Sequence, residues 1–224
     1  MNKSYVSEDI IAQSWGDNPS FMVILLHGLG ADASDLVFLG EHLKHPKLAV
    51  RMMYVNAPRK PIVAFGGQVT RAWFSLNILD WEAPITDAAG LYSSCDRIAK
   101  IVGDAVDQGI SSKNIFLGGF SQGGFVALIT EMTFNLQIGG VFALSSFMRK
   151  QDLPPGVEKV STPLFVAEGM SDITVPESVR LETKNVMEGL TENNLTYKKY
   201  DAGHQIVQEE ILDLRSWMHR IMDA

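Results

Sequence analysis

The stretch Gly118-Gly119-Phe120-Ser121-Gln122-Gly123-Gly124-Phe125 sets one serine among four glycines. It lies between an apolar run that reads as a strand and a stretch that reads as a helix. Turning from strand to helix within one residue strains the backbone of that residue, and side chains at the flanking positions would collide with neighbouring elements. The G-x-S-x-G pattern in that setting lifts a serine hydroxyl out at the carboxyl end of a sheet. It also places the hydroxyl at a helix N-terminus, where amide hydrogens favour developing negative charge. The chemistry this suits is attack on an acyl carbon. The bare pattern arises by chance in roughly one chain of this length in ten, so its context decides.

A serine hydroxyl is a poor nucleophile without a base, and the base needs an acid to orient it. Of the five histidines, His204 in YDAGHQIV falls in a loop between a strand and the last helix, where an exposed base would stand. His42 and His45 lie on or near a polar helix upstream of Ser121. His219 sits in the last turn of the final helix, where a cation is favoured anyway. His27, directly after the first core strand, reads as a structural residue holding the following loop. For the acid, Asp172 in EGMSDITVP lies just past a strand, with Glu168 and Asp201 as rivals. Only Asp172 has a loop long enough to turn its carboxylate toward a histidine. Ser121, Asp172 and His204 then follow in the chain order expected beyond the strand ends of an open α/β sheet. Two backbone N–H groups are expected to hold an oxyanion: that of Gln122, and that of Leu29 in the HGLGAD loop. HGLGAD lacks the G-x-G-x-x-G spacing of a dinucleotide site, and histidines and carboxylates do not group as metal ligands. Neither cofactor nor metal is expected.

The elements that position these residues alternate. FMVILLHG, LAVRMMYVNAP, NIFLGGF, IGGVFALSS, TPLFVAEG and LTYKKY read as strands, most of them apolar enough to be covered on both faces. Helices are expected from a cap at Thr86 to Gly109, from Gln122 to Thr133, from Pro176 to Glu188 and from Ile206 to Ile221. Such alternation gives βαβ units and a mostly parallel sheet flanked by helices. With no repeat, linker or shift in composition, residues 1–224 read as a single α/β domain. The link from Ser146 to Thr162 leaves no room for a cap domain. Residues 59–85 form the exception. They read as a long loop too rich in Trp, Phe, Leu and Ile for ordinary solvent-facing coil. Trp73, Phe74, Leu76, Leu79 and Trp81 are expected there as a substrate surface, on a lid over the serine.

Composition narrows the classes. The chain has 224 residues, 46% of them apolar, and a net charge of −7 without blocks of like charge, so a nucleic-acid partner is not expected. The N-terminus shows no apolar signal region, and FMVILL is far too short to span a bilayer. The single cysteine, Cys95, cannot form an internal disulfide and lies on the apolar face of a helix as a core thiol. A soluble, cytoplasmic protein is expected, with at most peripheral membrane contact; a homodimer is compatible with it.

Taken together, LLHGLGAD, the GG-x-x-x-RAWF stretch at 66–74, IFLGGFSQGG, the G-x-x-D-x-x-VP pattern from Gly169 to Pro176, and AGH followed by Glu209 and Glu210 resemble the acyl-protein thioesterase and carboxylesterase family of small α/β-hydrolases. The resemblance spans almost the whole chain. It implies an α/β-hydrolase fold, Ser121, Asp172 and His204 as a triad, and Leu29 and Gln122 as oxyanion donors. It also implies hydrolysis of short to medium acyl esters, lysophospholipids or acylated proteins, without a cofactor. Two departures stand out: Glu168-Gly169 where the family commonly has His-Gly, and Ser75 where it commonly has Asp. The alternatives on the same fold are an inactive binder of acyl ligands or partners, a peptidase, and a dienelactone-type hydrolase.

Overall fold

The strand FMVILL is buried at every position, and its alternating side chains feed two separate cores. Met22, Ile24 and Leu26 join one cluster, whereas Phe21, Val23 and Leu25 join another on the opposite face. That is the consequence of a period-2 strand covered on both sides. The structure, a computed structural model, describes residues 3–62, 65–76 and 80–224. In chain order its strands are β1 (Lys3–Val6), β2 (Ile10–Trp15), β3 (Phe21–Leu26), β4 (Val50–Val55), β5 (Arg59–Ile62), β6 (Gln68–Arg71), β7 (Ile115–Phe120), β8 (Gly140–Leu144), β9 (Leu164–Gly169) and β10 (Leu195–Tyr200). The helices are α1 (Phe38–Leu43), α2 (Ala88–Asp107), α3 (Gln122–Phe134), α4 (Glu177–Leu190) and α5 (Gln208–Met222).

Eight strands make one sheet in the order β1-β2-β4-β3-β7-β8-β9-β10. From β4 to β10 every pairing is parallel; β2 runs antiparallel to both of its neighbours. This is the expected α/β-hydrolase architecture, with α2, α3 and α4 packed on one face and α1 and α5 on the other. The six strands read from the sequence are all present.

Four strands were not foreseen. β1 and β2 extend the sheet at its antiparallel end, where every β2 residue is only half-buried, so no clear apolar pattern marks them. β5 and β6 pair as a separate antiparallel hairpin inside the segment read as a loop, which corrects that reading. Its turn includes Gly66 and Gly67, both at positive φ, where glycine avoids the Cβ clash. A second correction concerns α2. Its cap is Asp87, not Thr86: the Asp87 carboxylate accepts the Gly90 N–H at 3.0 Å. Cys95 is buried on the core face of α2, and burial raises its thiol pKa to about 11. Between β8 and β9 the only regular element among the described residues is a short 3-10 helix, Lys150–Asp152.

Candidate active site

Ser121 sits between the end of β7 and the first residue of α3, with φ 52° and ψ −120°. A serine rarely adopts that conformation, and the surroundings enforce it. A Cβ at Gly119 would lie 2.3 Å from the Leu26 carbonyl oxygen, and one at Gly123 would lie 2.0 Å from the same atom. Both glycines are therefore required by the close approach of β3. Two bonds fix the turn from behind: the Ser121 N–H donates to Leu144 O at 2.8 Å, and Ser146 Oγ donates to Ser121 O at 2.9 Å.

The Ser121 hydroxyl lies 3.0 Å from His204 Nε2, and His204 Nδ1 lies 2.7 Å from Asp172 Oδ2. A carboxylate can only accept, so Nδ1 carries the proton and Nε2 is left to accept from the serine. Burial works against the charged form of Asp172. Hydrogen bonds from His204, Val175 and Thr174 outweigh it and hold the carboxyl below the ordinary range. The Asp172 side chain has no exposed surface, and that of His204 keeps 19%. The Phe120 ring packs beside the imidazole, 4.8 Å between centroids. The two loops are joined by their backbones: Met170 N–H donates to Tyr200 O and Ser171 N–H to Ala202 O. Of the rival acids, Glu168 pairs with Tyr197 and Lys199, and Asp201 is exposed.

Leu29 and Gln122, the two expected oxyanion donors, line the same cleft as Ser121 and His204, a space of about 240 Å³. Gly30 donates to Arg71 O at 2.9 Å, which ties the Leu29 loop to the hairpin. His27 is fully buried. Its Nδ1–H donates to Gly28 O at 2.7 Å and its Nε2 accepts from Ala57 N–H at 3.0 Å. Burial lowers its pKa, so it stands neutral between two loops as a structural residue.

The expected substrate surface divides in three. Leu76 and Trp81 line the cleft, with Phe65, Phe147 and Val175. Trp73 and Phe74 do not: both have no exposed surface, and Trp73 Nε1 donates to His27 O at 2.9 Å. They are core residues beneath the site, a correction whose reason is that apolar side chains beside a cleft and under it look alike in sequence. Leu79 lies outside the described residues. Phe147, which lines the cleft, and Ser146, which holds Ser121 O, were missed. So were Arg149 and Arg180, which bind carbonyls of the segments carrying Trp81 and Asp172; only long-range packing makes these contacts.

Among the described residues, no group of three or more His, Cys, Asp or Glu could hold a metal ion, and no helix is long and apolar enough to cross a membrane.

Strained serine, histidine and buried carboxylate at the carboxyl ends of a parallel sheet define a hydrolase-type site. The family model described as phospholipase/carboxylesterase matches residues 8–222, and the chain belongs to that family, whose members are ester hydrolases. It is 33% identical over 217 residues to acyl-protein thioesterase 1 of Saccharomyces cerevisiae, covering 90% of this chain and 93% of the relative. The corresponding figures for acyl-protein thioesterase 1 of Kluyveromyces lactis are 35% over 211 residues, with 90% and 92% covered. Among solved structures, Zea mays acyl-protein thioesterase 2 superposes with a TM-score of 0.75 at 21% identity. That match covers 94% of this chain and 98% of the other, and shows the shared fold.

Proposed function

We propose that this protein cleaves carboxylic esters and thioesters of short to medium acyl chains, with Ser121 as nucleophile, His204 as base and Asp172 as the residue that orients it. The observation that carries the reading is the hydrogen-bonded relay from Ser121 Oγ through His204 to Asp172. His204 Nε2 takes the hydroxyl proton as Oγ bonds to the acyl carbon. Asp172 then faces an imidazolium, which its charge stabilises. The N–H groups of Leu29 and Gln122 hold the oxyanion of the tetrahedral intermediate. As the bond to the leaving oxygen or sulfur breaks, the imidazolium returns its proton to that atom. Water attacks the acyl-enzyme through the same cycle and frees the acid and Ser121.

The substrates are small amphipathic esters and acyl groups carried on proteins or lysophospholipids, handled in the cytoplasm. The apolar cleft and the named activity of the fungal relatives support this choice. Ser121→Ala and His204→Ala are each expected to remove at least about a thousandfold of ester hydrolysis while circular dichroism stays native, since triad members act as a unit. Turnover near the wild-type rate by either folded variant would refute the assignment.

A further inference from the structure

The loop that carries Asp172 is wrapped around its own carboxylate. Asp172 Oδ1 accepts the N–H groups of Thr174 at 2.8 Å and Val175 at 3.0 Å, which leaves Oδ2 for His204. The carbonyls of the same loop converge on one cation. Arg180, on the first turn of α4, donates from Nη1 to Asp172 O and Val175 O, both at 2.6 Å. From Nη2 it donates to Met170 O at 3.1 Å.

Arg180 is 7% exposed, and a guanidinium buried so far needs a compensating charge. Glu168, at 5% exposed, supplies it, yet the two do not form a close pair. An arginine placed to bind a carboxylate faces it with two parallel N–H bonds. Here Arg180 Nε stands 3.9 Å from Glu168 Oε2 and has no hydrogen-bond partner among the described residues. The Glu168 oxygens instead accept from Tyr197 Oη at 2.6 Å and Lys199 Nζ at 2.7 Å. The guanidinium thus spends its hydrogen bonds on the acid loop, and Glu168 supplies charge rather than geometry.

We propose that Arg180, neutralised by Glu168, is a positioning residue that fixes the backbone of the acid loop so that Asp172 Oδ2 meets His204 Nδ1. The proposal rests on the triad reading above. It also accounts for the carboxylate at 168. During acyl transfer His204 gains positive charge, and a bare guanidinium beyond Asp172 would oppose it. Glu168 from β9 offsets that charge inside the fold; on its outer side it accepts from Tyr197 and pairs with a second cation, the half-exposed Lys199 of β10. The clamp then acts mainly through shape, because the one positive charge left over in the set sits at the half-exposed Lys199, where solvent screens it.

The test uses the purified protein and a p-nitrophenyl ester, with kcat and KM measured for Arg180→Met, Arg180→Lys, Glu168→Gln and Ser121→Ala. A small displacement of a catalytic group costs up to about a hundredfold. Arg180→Met is therefore expected to lower kcat by roughly 10- to 100-fold with KM within about twofold. It should also shift or broaden the downfield proton resonance of the His204 Nδ1–H bond to Asp172. Lysine keeps the charge but cannot span three carbonyls, so Arg180→Lys should fall between the wild type and Arg180→Met. Glu168→Gln leaves the clamp charged and should lower kcat without moving KM. If Arg180→Met fails to fold, the other two variants decide: wild-type kcat and an unmoved resonance in both would overturn the clamp. An inactive Ser121→Ala beside fully active Arg180 variants sinks only this proposal, whereas an active Ser121→Ala sinks the triad itself.

Discussion

Gln122 grips the segment beneath the cleft with both ends of its side-chain amide: Oε1 accepts the Trp73 N–H at 3.0 Å, and Nε2 donates to Phe74 O at 2.9 Å. The residue whose backbone is proposed to hold the oxyanion therefore also anchors the chain leading to Leu76. Ser94 Oγ donates to Trp73 O at 2.6 Å, and Asp87 accepts the Ser75 N–H at 2.8 Å. Residues 73–75 are consequently scaffold, and the substrate surface begins at Leu76.

Gln122→Ala tests that grip without removing the backbone N–H. It strands two buried backbone groups, each costing about 1–3 kcal/mol when unpaired. A loss of roughly 2–6 kcal/mol in urea unfolding is expected. A loss below about 1 kcal/mol would mean that water takes the place of the amide.

Arg149 makes a parallel case further along the segment. It and Asp152 form a two-pronged ion pair with side chains only 2% exposed, and Arg149 Nη1 also donates to Trp81 O at 2.6 Å and Ala83 O at 2.8 Å. Removing one member of a buried pair leaves an uncompensated charge, typically at about 3–5 kcal/mol. Arg149→Met should reach that range by chemical denaturation. Arg149→Met combined with Asp152→Leu should be the less damaged of the two, because no charge is left stranded. A double variant as unstable as the single one would locate the cost in the lost bonds to Trp81 and Ala83.

How much of this was legible follows from the range of each interaction. The placing of Ser121 and Asp172 beyond strand ends was legible because each follows a strand marked by its own apolar run. His204 instead follows LTYKKY, half-buried or exposed at all but its last residue, and was placed from the loop before the last helix and the fold's chain order. The polar hairpin Arg59–Ile62 and Gln68–Arg71 carried no apolar alternation, and its one local signal was the pair Gly66-Gly67. Arg149 and Arg180 look like surface residues of polar segments. Nothing near them in sequence says that Trp81 or Met170 will present carbonyls to them. Trp73 failed differently: its apolar character was read correctly and its side of the site was not.

Glu210 gives a stability prediction with a definite sign. It is 2% exposed, accepts the Val207 N–H at 3.3 Å and leaves Oε1 without a partner among the described residues. Burial raises its pKa from 4.5 to about 7. A carboxyl raised in the folded state binds its proton there more tightly than in the unfolded chain. Its contribution is thus complete below the unfolded value and is lost as pH rises through about 7. At one pKa unit per 1.36 kcal/mol the effect is at most about 3 kcal/mol. Glu210→Gln should flatten the fall in melting temperature between pH 5 and 8. Parallel curves for variant and wild type would show that other groups set the slope.

The last prediction concerns Trp81. Its ring stands edge-on to Phe147, with centroids 5.0 Å apart, and Phe147 stacks on Phe125 at 4.6 Å. An aromatic column thus rises from the core under α3 to the cleft, and Leu76 lines the same space. An acyl chain extending from Ser121 would meet these apolar walls. Burying one methylene is worth about 0.8 kcal/mol, so kcat/KM should rise by up to roughly fourfold per added carbon until the cleft is full. Leu76→Ala with Trp81→Ala removes much of that wall but leaves the triad and the Arg149 bond to the residue 81 carbonyl in place. The double variant should flatten the chain-length dependence and weaken medium-chain esters far more than acetyl esters. Measuring kcat/KM across acyl lengths at fixed leaving group decides it. An equal loss at every length would make the segment scaffold and place the acyl site elsewhere. Selective loss of the longer chains would establish Leu76 and Trp81 as the wall that reads them.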